Sequence, residues 1–331
     1  MKGFLKLVTL AIAALTFFSS VQAVAKEPTI IVVTHGQASD PFWSIVKNGA
    51  MQAGKDMHVR VQYRAPETFD MVQMGNLIEA AVNQNPAGIV VSDPDPDALG
   101  PAIRKAVNAG IPVISINSGM DAAKKLGIRL HVGQDEFTAG KAVGEELKKL
   151  GRKHVICINQ EVGNVSLDQR CRGVSAGFGQ NVKVLPTTTD PSETKSKVRA
   201  ALSSDKSIDT IVSLSAPLVG EPAVAAVESL GQQNHVKVVS FDLSAGFLKD
   251  VSEGKALFAV DQQPFLQGYL PVSFLALNAR YKTLPAGNVP SGPSFIMQKD
   301  AAKVIELSAK RYSIVPNAIA LLKAIAHCAF S

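Results

Sequence analysis

The residues of this 331-residue chain that could do chemistry recur at regular places, each just beyond a short run of β-branched and aliphatic residues. His35, Gly36, Gln37, Ser39 and Asp40 follow the first run, Ser92, Asp93 and Asp95 the third, and Asn117 and Ser118 the fourth. Gln134 and Asp135 follow a short Leu130-His131-Val132 stretch, and Asn159, Gln160, Glu161, Ser215 and Asp242 continue the series. These side chains give and take hydrogen bonds but include few cations. A site lined this way suits a neutral polyhydroxyl ligand better than a phosphate or a carboxylate.

Catalysis is not indicated. No Gly-x-Gly-x-x-Gly follows the first run, and no Gly-x-x-x-x-Gly-Lys-Ser/Thr occurs, so neither a dinucleotide nor a nucleotide phosphate site is expected. Of the six histidines only His35 sits where a cleft would lie, and no nucleophile or orienting partner accompanies it. It is a candidate ligand contact instead. Three cysteines, Cys157, Cys171 and Cys328, form no Cys-x-x-Cys and have no histidine cluster beside them, so no metal or cofactor is expected. An oxidising compartment allows Cys157 to pair with Cys171, and the sequence leaves bridge and free thiols both open.

The elements that must position these groups are legible as an alternation of strands and helices. Strands are expected over 29–33, 59–63, 88–91, 112–116, 155–158, 182–185, 211–214 and 236–241. Helices are expected over 71–82, 99–109, 168–178, 194–202 and near 223–230. A helix also opens at Asp40-Pro41, with Asp at the N-cap, Pro at the first position, and Phe42, Ile45, Val46, Ala50 and Ala53 on its apolar face. Short strands, apolar on both faces and joined by helices of about a dozen residues, imply right-handed crossovers and parallel sheets. About 305 residues exceed what one core holds, so the fold class is α/β with two doubly wound lobes. Ligands of such sheets sit beyond the carboxyl ends of the strands, where the polar series lies.

The N-terminus points to export. Lys2 and Lys6 precede an apolar run over 7–18, then Val21-Gln22-Ala23 and Ala23-Val24-Ala25 offer small-x-small cleavage sites, so 1–25 reads as a signal peptide and the periplasm as the destination. Removing it lowers the net charge from +6 to +4. The remaining basic residues are evenly spread with few aromatics among them, which gives no support for nucleic-acid binding.

The motifs then become more specific. Asp40-Pro41-Phe42-Trp43, followed by Lys47-Asn48-Gly49-Ala50, resembles the first-helix signature of the ribose-binding-like periplasmic sugar-binding proteins. Pro112 to Asn117, Val132-Gly133-Gln134-Asp135, Leu167 to Gly173, Ser240-Phe241-Asp242 and Asp261-Gln262-Gln263-Pro264 match the same family in order and spacing. The resemblance implies that Asp40, Asn117, Asp242 and Gln262 bond sugar hydroxyls, and that Phe42 and Trp43 cover the sugar's C–H faces. It assigns Arg170 to two hydroxyls at once, with Arg172 as the alternative. Two departures stand out: Ser118 replaces an arginine, and Ala216-Pro217 replaces Asn-Asp, which leaves the contact from that loop open.

By the same resemblance the chain crosses between lobes three times, near Gln134, Gln262 and Pro290. The lobes would be 28–133 with 263–290 and 134–262 with 291–314, closing on ligand by a hinge. The implied protein is a monomeric binding component, not an enzyme. It would capture a monosaccharide or polyol and deliver it to the membrane permease of an ABC importer, with a chemoreceptor as a further partner. A furanose signalling molecule or another small solute is the alternative ligand. The 315–331 stretch fits the family poorly and has no assigned role.

Overall fold

The computed structural model describes residues 27–36 and 40–309. The signal peptide read over 1–25, the strand-end residues Gln37 and Ser39, Cys328 and the 315–331 tail lie outside the described residues. In the first half β1 (Thr29–Val33), α1 (Pro41–Asp56), β2 (Arg60–Arg64), α2 (Met71–Val82), β3 (Gly88–Ser92), α3 (Pro96–Asn108), β4 (Val113–Ile116), α4 (Met120–Leu126) and β5 (Leu130–Gly133) alternate. The start signals act as their chemistry dictates: the Asp40, Asp70 and Asp95 carboxylates accept from backbone amides in the first turns of α1, α2 and α3. The third helix therefore begins at Pro96, three residues before the apolar pattern does.

The second half repeats the plan. It runs α5 (Glu136–Lys149), β6 (Val155–Asn159), α6 (Val165–Phe178), β7 (Lys183–Pro186), α7 (Pro191–Ser204) and β8 (Thr210–Ser213). A π-helical turn over Ala216–Gly220 then leads into α8 (Glu221–Ser229), β9 (Lys237–Phe241), α9 (Ala245–Ser252) and β10 (Ala256–Asp261). The chain closes with α10 (Pro264–Tyr281), β11 (Val289–Pro290), β12 (Ser294–Met297) and α11 (Gln298–Ala309).

Two six-stranded sheets result, ordered β11-β5-β4-β3-β1-β2 and β12-β10-β9-β8-β6-β7. Every pair is parallel except β10 with β12. Both are doubly wound, and their order reverses between β1 and β3 in one and between β6 and β8 in the other. The chain passes between the sheets from β5 to α5, from β10 to α10, and from β11 to β12. Central strands such as β3 and β8 are wholly buried, as sheets covered by helices on both faces require.

Within each lobe one helix pair packs almost backbone to backbone. Gly49 and Gly268 let α1 meet α10; Gly140, Gly144, Gly173 and Gly177 let α5 meet α6. A Cβ on Gly140 would overlap the Arg170 carbonyl, so this close packing holds the start of α6 beside α5. On α1, Trp43 is buried while Ile45, expected on the apolar face, is half-buried.

Candidate functional site

The carboxyl ends of the two sheets face each other across a cleft. Its walls contain His35, Asp40, Phe42, Trp43, Asn117, Arg170, Asp242 and Gln262, the residues singled out from the sequence. Gln160, Glu161, Asn164, Leu167, Leu214 and Ser215 complete the lining.

From the first sheet's switch point, β1 and β3 deliver His35 and Ser92. The Ser92 Oγ accepts from the His35 amide at 2.9 Å and lies 2.7 Å from the ring Nδ1. With the hydroxyl proton given to Nδ1, the ring proton sits on Nε2, 3.7 Å from Glu161 Oε2 on the opposite wall. Burial, and then the Arg170 charge, lower the His35 pKa to about 3, so this approach joins a neutral imidazole to a carboxyl group and is no ion pair. Trp43 meets His35 edge-on at 4.7 Å and Phe42 at 5.1 Å. Both aromatics belong at once to the cleft wall and to the core beneath β1.

Asp40 uses Oδ1 to cap α1 through the Phe42 amide at 2.9 Å, and burial raises its pKa to about 6. Asn117, which follows β4 with a φ of 60°, accepts a hydrogen bond at Oδ1 from the Ser118 hydroxyl at 2.9 Å. Ser118 therefore orients Asn117 and is not part of the cleft lining.

Gln262 lies at the second crossing and is the hub. Its Nε2 donates to Asp242 Oδ1 at 2.5 Å, while Oε1 faces Asn117 Nδ2, Arg170 Nη2 and Gln267 Nε2 at 3.3 to 3.4 Å. Its backbone carbonyl accepts from Gln267 and from Ser291 of the third crossing. One side chain thus ties both walls to the hinge segments. Asp242 adopts a φ of 69°, a conformation asparagine and aspartate tolerate better than most residues, and burial raises its pKa to about 7 against the pull of Arg170.

Arg170, not Arg172, faces the cleft; Arg172 is exposed. Its planar fork grips Glu136 of α5, Nε to Oε2 at 2.5 Å and Nη2 to Oε1 at 3.0 Å. The guanidinium also lies 4.8 Å from the Phe241 ring. Burial lowers its pKa, but the charge and hydrogen bonds of Glu136 more than compensate, and the group stays ionised. Glu136 has no sequence signal of its own: it is an ordinary first-turn acid of α5, and its partner is 34 residues away.

Other polar strand ends do different work. Asp95 and Asp135 cap helices. Asp93 is wholly buried with neither oxygen bonded, and burial, reinforced by Asp95 and Asp97, raises its pKa to about 7. Asn164 caps α6, so that helix begins at Val165 and brings Asn164 and Leu167 to the wall. Leu214 and Ser215 line the cleft at the altered loop, whereas Ala216 is buried in the core.

The stretch Gly173-Val174-Ser175-Ala176-Gly177 matches a Gly-x-Ser-x-Gly nucleophile pattern, but it lies inside α6, not at a strand-to-helix turn. Ser175 Oγ donates to the Cys171 carbonyl at 3.2 Å and accepts from the Val182 amide at 3.1 Å. Cys157 and Cys171 are disulfide-bonded, tying β6 to α6. No cluster of three metal-ligating side chains occurs among the described residues. Outside the cleft the lobes touch where the Val165 amide donates to the Pro94 carbonyl at 2.9 Å and Gln169 to Asp121 at 2.6 Å.

Comparison with known proteins agrees with this geometry. Over 78% of its length the chain is 26% identical to the ribose import binding protein RbsB of Escherichia coli, covering 87% of that protein. It is 25% identical to the xylose/arabinose-binding protein XylF of Sulfolobus acidocaldarius, over 82% of this chain and 72% of that one. A solved carbohydrate transporter from Acidothermus cellulolyticus, in complex with myo-inositol, superposes with a TM-score of 0.81 at 35% identity, covering 87% of this chain and 99% of the other. Residues 30–283 match the family model described as the periplasmic binding protein domain. The chain therefore belongs to the periplasmic binding protein family, of the ribose-binding-like type.

Proposed function

We propose that this protein captures a monosaccharide or related cyclic polyol between its lobes and delivers it to the permease of an ABC importer. One observation carries the reading: hydrogen-bonding groups from both sheets converge on a single cleft whose one arginine is already paired. Hydroxyls can donate to Asp40, Asp242 and Glu161 and accept from Asn117, while Phe42 and Trp43 cover C–H faces. An anionic ligand would find no free cation there. Among known structures, the relative bound to myo-inositol favours a cyclic polyol over an open-chain one.

The moving units in this reading are 28–133 with 263–290 and 134–262 with 291–314. Closure buries the ligand, and a wrong stereoisomer then leaves a polar group unpaired, which is the source of specificity. The expected Kd is about 1 μM or tighter, near −8 kcal/mol. We read the protein as a monomeric periplasmic binder and not a catalyst, exported by its N-terminal segment; a chemoreceptor is a second candidate partner. A thermal-shift panel of pentoses, hexoses, cyclitols, nucleosides and amino acids tests the assignment. A shift of several degrees with one sugar or cyclitol is the expected result, and a shift with amino acids alone would overturn it.

A further inference from the structure

We propose that the ligand is an aminated polyol, a sugar or cyclitol whose protonated amine sits among Asp40, Glu161 and Asp242. The inference rests on the polyol-binding reading and narrows its ligand class. It starts from the charges on the cleft wall. The lining holds three carboxyl groups and one cation, Arg170, and that cation is matched by Glu136 through two of its nitrogens. His35, the other basic group there, is held neutral by burial. Asp40 is thus left without a counter-charge, and Glu161 and Asp242 feel only the Arg170 charge that Glu136 already pairs, although the chain as a whole carries +6.

Hydrogen bonding points the same way. Each of these three groups spends one oxygen inside the protein: Asp40 Oδ1 on the Phe42 amide, Glu161 Oε2 on Asn164, Asp242 Oδ1 on Gln262. The second oxygen of each finds no donor among the described residues. Gln160 lines the same cleft, is only 6% exposed, and its Oε1 has no partner. The wall is therefore rich in acceptors and short of positive charge. A neutral polyol supplies donors but no charge, so closing the lobes over it leaves ionised carboxylates buried, which is costly. An ammonium group supplies three donors and the missing charge together. The raised pKa values of Glu161 and Asp242, both about 7 and both caused first by burial, express the same deficit.

Calorimetry on the purified full chain with matched ligands tests this. The sets are D-glucose, D-glucosamine and N-acetyl-D-glucosamine; their galactose counterparts; and myo-inositol with an aminodeoxyinositol. The amine should bind at least about tenfold tighter than both its neutral parent and its acetylated form. Glu161→Gln and Asp40→Asn, checked for fold by circular dichroism, should each shrink that preference. A neutral parent that binds as tightly as its amine would overturn the proposal and leave polyol capture standing. An amine preference untouched by both substitutions would overturn the placement of the amine. Binding by no member of any set would remove the polyol reading and this inference with it.

Discussion

Replacing Glu136 with alanine should unfold the second lobe far more readily than the loss of one surface charge would. Glu136 and Arg170 are both 3% exposed at their side chains, so little solvent screens the pair. The substitution removes Arg170 contacts at 2.5 and 3.0 Å and the bond from Gln134 Nε2 at 2.8 Å. Taking away one partner of a buried ion pair costs about 3–5 kcal/mol, because the remaining charge is left in a poor solvent. Asp242 and Glu161 also act on the guanidinium, which places the expectation near the lower figure, about 3 kcal/mol. Urea unfolding followed by circular dichroism measures it. Trp43, the single tryptophan, reports the first lobe, and its fluorescence transition should shift less. A double variant, Glu136→Leu with Arg170→Met, should recover most of the stability while losing ligand affinity. A single variant that costs under about 1 kcal/mol, the range of an exposed pair, would refute the reasoning. So would a double variant as unstable as the single one.

Four further outcomes follow from the geometry. Asp242→Asn keeps a residue type that tolerates the φ of 69° but halves the acceptor capacity, and should weaken ligand binding at least about tenfold, or 1.4 kcal/mol, by calorimetry. Gly140→Ala places a methyl against the Arg170 backbone and should cost about 1–3 kcal/mol in urea unfolding together with some ligand affinity; a neutral effect would show that α5 and α6 can separate freely. Reduction of the Cys157–Cys171 bridge, which spans 14 residues, should lower stability by about 2–3 kcal/mol, and an unchanged unfolding midpoint in reductant would contradict that. His131 is buried, and its pKa is lowered to about 4 by that burial, so its contribution is whole above about 6.5 and drains as pH falls towards the folded value. His131→Gln should therefore lose less stability than the parent between pH 7 and 5, by up to about 2 kcal/mol, and parallel pH profiles would exclude the effect.

What could be read in advance was whatever local chemistry specifies. The 71–82 helix and the 29–33 strand are legible to the residue because each is a continuous run of one element's residue types. The positions lining the cleft were legible because parallel sheets present their carboxyl ends to ligands, and the motifs there have fixed spacing. What stayed hidden depends on partners distant in sequence. Glu136 looks like any acidic residue in a first helical turn until α5 packs on α6 and brings it to Arg170. The role of Arg170 changes with it, from a free fork awaiting hydroxyls to a paired and oriented charge. Asn164 carries no sequence signal because its capping role precedes the apolar pattern of α6 by several residues. Ser215 and Glu161 stood at strand ends with many other polar residues, and only the meeting of two walls separates those that line the cleft from Asp93, which does not.

Small-angle scattering of the purified protein, with and without a polyol shown by calorimetry to saturate it, tests the clamp most directly. The lobes are in contact at Pro94–Val165 and Asp121–Gln169. A ligand-free protein whose radius of gyration exceeds that of this arrangement, and falls to it on saturation, is the expected result. An identical radius in both samples, with the cleft demonstrably filled, would contradict closure and leave a rigid binding pocket in its place.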